Sequence, residues 1–83
     1  MELTQDERAF LDEIYGESEP VLGISINKHN DLVSIANDIC APGFAYGTYY
    51  TLVGMVSKAE ETQSLVEEEI NGINVVAYPV IEF

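Results

Sequence analysis

The chain has no tryptophan, one cysteine, one histidine and only three basic residues among its 83. Each shortage excludes something. The lone Cys40 has no second cysteine to pair with, so the chain forms no disulfide within itself and a reduced setting is expected. With His29 as the sole imidazole, a Ser-His-acid triad, a Cys-His pair or a histidine-based metal site has at most one such member, and an enzyme is not expected. Arg8, Lys28 and Lys58 are too few to neutralise a useful run of phosphates, which argues against direct binding of DNA or RNA. The glycines are scattered, without the spacing of a phosphate-binding loop, and no cofactor is expected. The opening residues lack the basic start and apolar run of a secretion signal, so the expected location is cytoplasmic.

What is abundant is acid, and it is unevenly placed. Residues 1–19 carry seven carboxylates against Arg8, residues 60–83 carry six against no base, and residues 20–59 balance Asp31 and Asp38 against Lys28 and Lys58. The net charge of −12 therefore resides in two arms. Between them, residues 39–57 contain no charged side chain at all. That run is long enough to raise the question of a membrane span, but Pro42, three glycines, three tyrosines and two threonines argue against one. Apolar residues make up 47% of the chain, including five tyrosines and three phenylalanines. That is enough to offset chain entropy and to build one core.

The fold expected is a single small α+β domain over residues 1–83, a mostly antiparallel sheet of three to five strands with two or three helices. Thr4 and Glu7 form a capping box, Leu3, Phe10, Leu11, Ile14 and Tyr15 then share one stripe, and Gly16 stops that first helix. Residues 17–20 read as a turn because Pro20 steers its predecessor away from helix. Residues 21–26 read as a strand and residues 27–30 as a turn. Asn30 or Asp31 would cap a second helix, with Leu32, Ile35, Ala36 and Ile39 at i, i+3, i+4 and i+7 and with Pro42-Gly43 ending it. Residues 48–57, rich in Tyr, Thr and Val, read as a central strand in which Gly54 permits a bulge or close approach. Tyr46, Tyr49 and Tyr50 are expected to be buried rather than exposed as contact anchors.

Two readings of residues 58–73 compete. In one, Ser57-Lys58-Ala59-Glu60 is a capping box and a helix runs to Ile70, where Asn71-Gly72 ends it. In the other, Asn71-Gly72 is a hairpin turn pairing Ile70 with Ile73 and Val66 with Ala77, so that Glu67 and Glu69 project away from Ile70 and Val66. The helix is favoured, although Glu67, Glu68 and Glu69 near its C-terminus oppose the macrodipole. Residues 73–83 form a strand in either case, and Pro79 puts it at an edge or makes its far end irregular. Consecutive glutamates without the spacing of oxygen ligands are a weak calcium signal, and no metal is expected.

Charge alone suggests a use. A chain with this many carboxylates could serve as an acidic decoy that occupies the basic groove of a nucleic-acid-binding protein, with carboxylates in place of phosphates and an apolar strand filling a base pocket. An even spread of charge would be about four times too dilute to imitate a duplex, which presents one charge per roughly 100 Å² of its cylinder, so mimicry requires the arms to cluster. The residues expected to contact such a partner are Asp6, Glu13, Glu17, Ser18, Glu19, Val21, Leu22, Glu67, Glu68 and Glu69. Glu17-Ser18, followed by Val21-Leu22, resembles the phage-encoded uracil-DNA glycosylase inhibitors in size, charge and order of elements. In that family a Glu-Ser at the start of an edge strand enters the enzyme's DNA groove, and a hydrophobic cavity holds an enzyme loop. Glu19-Pro20 departs from the family's uninterrupted apolar run. Anti-CRISPR and anti-restriction decoys fit the charge as well. The chain is expected to be a monomer or a homodimer, and the competing expectation for its function is a small structural or assembly module that uses residues 44–57 for oligomerisation or partner binding. A halophile's ordinary domain is a third reading.

Overall fold

A computed structural model of the chain describes residues 3–17 and 19–80. Helix α1 spans Gln5–Tyr15 and begins with the expected capping box: the Glu7 amide donates to Thr4 Oγ1 at 3.2 Å and the Thr4 amide to Glu7 Oε1 at 3.1 Å. Gly16, at φ 76°, stops it, and its N–H donates to the Asp12 carbonyl at 2.8 Å. Strand β1 covers Val21–Ile24, ending two residues sooner than the sequence predicts. Helix α2 covers His29–Ile39 and buries Leu32, Ile35, Ala36 and Ile39, the four residues whose spacing predicted it. It starts ahead of Asn30 and Asp31, so neither is its N-cap. Lys28 holds that position without a side-chain hydrogen bond.

The predicted central strand is a helix. Helix α3 spans Tyr46–Thr62 and buries Leu52, Met55, Val56 and Ala59. Those positions repeat at i, i+3, i+4 and i+7, and burying that stripe outweighs the β-favouring Tyr, Thr and Val composition that suggested a strand. Ser57-Lys58-Ala59-Glu60 therefore lies inside a helix and starts nothing. Gln63, in the left-handed region at φ 54°, ends α3.

The favoured helical reading of residues 58–70 holds only as far as Thr62. Beyond it the hairpin forms: β2 is Val66–Ile70, β3 is Ile73–Ala77, and Ile70 pairs with Ile73 and Val66 with Ala77. Asn71 at φ 52° and Gly72 at φ 80° supply the two left-handed residues that this two-residue turn requires. The Asn71 side-chain amide also donates to the Ile39 carbonyl at 2.7 Å, fixing the turn to the end of α2. As a strand, the triple glutamate escapes the unfavourable helix C-terminus.

The sheet order is β1-β3-β2, with β1 parallel to β3 and β2 antiparallel to it. The α+β class expected is found, with a mixed sheet of three strands. β3 is central, so Pro79 does not mark an edge strand; it lies past the end of β3 at Ala77. Residues 81–83 of the strand expected to reach Phe83 lie outside the described residues. The pleat divides the sheet's side chains between two faces. Leu22, Ile24, Ile70, Val75 and Ala77 pack against α2 and α3. Val21, Val76 and Tyr78 pack against Leu11, Phe10 and Tyr15 of α1. Ile14, expected on the same stripe, is instead 47% exposed.

At Gly23 the Leu11 side chain of α1 packs directly on the strand backbone. A Cβ there would stand 2.5 Å from Leu11 Cδ1 and 2.9 Å from Tyr78 Cε1. Gly54, expected to permit a close approach, meets nothing within 4 Å. The two alanine substitutions should therefore differ in sign. In urea denaturation, Gly23→Ala is expected to lose roughly 1–3 kcal/mol through overpacking. Gly54→Ala, exposed within α3, is expected to gain roughly 0.5–1 kcal/mol. A loss at Gly54 equal to that at Gly23 would contradict the helical assignment.

Candidate acidic interface

The site begins with how α1 is held. Glu7 caps its own helix and, with its other oxygen, reaches the sheet: Ser25 Oγ donates to Oε2 at 3.2 Å and the Tyr78 hydroxyl donates to the same oxygen. Burial pushes the Glu7 carboxyl up, but hydrogen bonds from Tyr78, Thr4 and Ser25 outweigh it and hold the group below its ordinary value. The Tyr78 phenol is pushed up, first by its own burial and then by the bond to Glu7. One carboxylate thus ties the helix start, β1's exit and the end of β3 together.

With α1 fixed, the pleat of β2 decides where its glutamates go. Val66 and Ile70 pack towards α2 and α3, so Glu67 and Glu69 project on the α1 side and Glu68 on the other. Glu67 and Glu69 meet Glu19 there, lining one groove of about 390 Å³ with Pro20, Gly72 and Asn74. The Tyr15 phenol is pushed up to about 12, first by burial and then by the nearby carboxylates of Glu67 and Glu19. Glu19 of the N-terminal arm and Glu67 and Glu69 of the C-terminal arm therefore share a face.

An adjoining groove of about 490 Å³ runs along β1 and is lined by Asp12, Glu17 and Glu19, with Arg8 as its base and Val21 and Leu22 among its apolar residues. Of the residues expected to contact a partner, Glu17, Glu19, Val21, Leu22, Glu67 and Glu69 are brought to these two grooves. Asp6 and Glu13 are exposed on α1 and line neither. Glu68 faces away, towards α3. Ser18 lies outside the described residues. Tyr15 packs on the core stripe as expected, but sequence reasoning missed its nearness to Glu19 and Glu67, which depends on a contact across the fold.

The tyrosines expected to be buried divide. Tyr46 and Tyr50 are 72% and 68% exposed, because one helical turn places them together on the outer face of α3. Tyr49 is half-buried, its hydroxyl 2.8 Å from His29 Nδ1 and its ring edge-on to Phe44 and Tyr50. Cys40 Sγ lies 3.0 Å from Thr48 Oγ1. Among the described residues, no group of three or more His, Cys, Asp or Glu is arranged to hold a metal ion, and no helix is long and apolar enough to cross a membrane. Comparison with protein-family models, curated proteins and solved structures finds no match to this chain.

The meeting of the arms can be read from tyrosine ionisation. Because the Tyr15 pKa is raised from 10.0 to about 12 in the fold, its stabilising contribution is complete below pH 10 and is lost as pH rises through about 12. In an absorbance titration of the tyrosinates, Glu67→Gln is expected to shift one tyrosine to earlier ionisation, while Glu68→Gln leaves the curve unchanged. Identical curves for wild type and Glu67→Gln would contradict the contact.

Proposed function

We propose that the protein is an acidic decoy that acts by occupancy rather than catalysis, filling the basic groove of a nucleic-acid-binding protein in the cytoplasm of the cell where it is made. The observation that carries this reading is the convergence of Glu19 with Glu67 and Glu69 on one groove, from opposite ends of the chain. The whole surface of 5201 Å² gives about 430 Å² per net charge, too sparse for a duplex mimic if evenly spread. Concentration on the α1 side narrows that gap. Val21 and Leu22, half-buried beside Glu17 and Glu19, supply apolar contact next to the charge. A DNA-repair glycosylase is one target of this kind, on the resemblance carried by Glu17-Ser18 and Val21-Leu22; anti-CRISPR or anti-restriction action is another.

A second reading, an assembly module, draws support from the exposed Tyr46 and Tyr50 within residues 44–57. The two separate in one experiment. Capture from host lysate at low salt is expected to yield a basic nucleic-acid-binding protein that competing duplex DNA releases. Capture of the chain by itself, strengthened when salt screens its repulsion, would contradict the decoy and support assembly.

A further inference from the structure

A third groove, of about 370 Å³, lies between α3 and the outer edge of β2, with both Glu67 and Glu68 in its lining. Tyr50 and Glu68 stand on its walls, and Met55 and Val66 add apolar surface. Gly54 opens it, since no side chain occupies the position one turn beyond Tyr50 and, its chain neighbours and the helix's own backbone aside, nothing lies within 4 Å of where a Cβ would be. The Tyr50 ring is 68% exposed but braced by Tyr49, edge-on with ring centroids 5.4 Å apart. Lys58, the one base lining the groove, is two turns from Tyr50, roughly 12 Å along the helix axis.

We propose that this groove accepts an arginine side chain of the basic partner, with its guanidinium on the Tyr50 ring and paired to the Glu68 carboxylate. The aliphatic stem would lie along Met55 and Val66. An exposed aromatic face beside a carboxylate suits a guanidinium better than an ammonium, because the planar group stacks and bonds at once. Charge complementarity favours a basic partner over a second copy, which would bring one arginine, Arg8, and a net charge of −12. The inference rests on the reading of the partner as basic and extends it to a second face, with a preference for arginine that an electrostatic decoy alone would not have.

The test compares two short peptides of equal length and charge, one alternating arginine with glycine and the other lysine with glycine, at low salt. Wild type is expected to bind the arginine peptide roughly two- to five-fold more tightly, the range of an exposed cation–aromatic contact. Tyr50→Ala should abolish that preference without weakening the lysine peptide. Gly54→Leu, which fills the groove and favours helix, should do the same with no loss of thermal midpoint. In amide NMR spectra, the arginine peptide should shift the Gly54 resonance. Equal binding of both peptides, or a preference that survives both variants, would overturn the arginine contact and leave the acidic decoy standing. Failure of both peptides to bind would overturn both proposals.

Discussion

The arrangement depends on one carboxylate. Glu7 accepts hydrogen bonds from the Thr4 amide, Ser25 and Tyr78, and so joins the first turn of α1 to the ends of two strands. Hydrogen bonds to a charged group are each worth roughly 1.5–3 kcal/mol, and here they compensate the partial burial of the acceptor. The bare backbone at Gly23 lets the helix come close enough for them to form. Only with α1 in this position does Tyr15 reach Glu67, and only then does the turn after α1 carry Glu19 to the β2 glutamates.

The same architecture lets a strongly acidic chain stay folded. Its charges are kept to surfaces: no charged or polar residue is buried among the described residues, and both cores are apolar apart from the Tyr78 hydroxyl. The open edge of β2 carries three consecutive glutamates, which discourages pairing with another strand, and the opposite edge strand has only four residues. Clustering the arms on one face costs stability through self-repulsion, and that cost is what a groove built for a basic partner would recover on binding.

The parts legible in the sequence were those with local signals. Thr4 with Glu7, the Leu32–Ile39 spacing and Gly16 marked two helices, and Asn71-Gly72 carried a hairpin whose register was readable even though the helical alternative was preferred. α3 was misread because Tyr, Thr and Val dominate its first half, while its helical stripe lies mainly in the second, at Leu52, Met55, Val56 and Ala59. That error also hid the outward phase of Tyr46 and Tyr50. Of the acidic site, the charge was visible and its partition was not. Which of Glu67, Glu68 and Glu69 face α1 follows from strand pleating, and the approach of Glu19 follows from a helix docked through residues far apart in the chain.

The central claim is that position, not total charge, makes the interface. The most direct measurement is the salt dependence of affinity for the captured partner in two variants of equal net charge: Glu19→Gln/Glu67→Gln/Glu69→Gln, and Glu13→Gln/Glu60→Gln/Glu61→Gln, whose sites are exposed elsewhere. Losing three exposed ion pairs should weaken binding by roughly tenfold and flatten the salt dependence in the first variant, with the second close to wild type. Equal losses in the two variants would contradict the account.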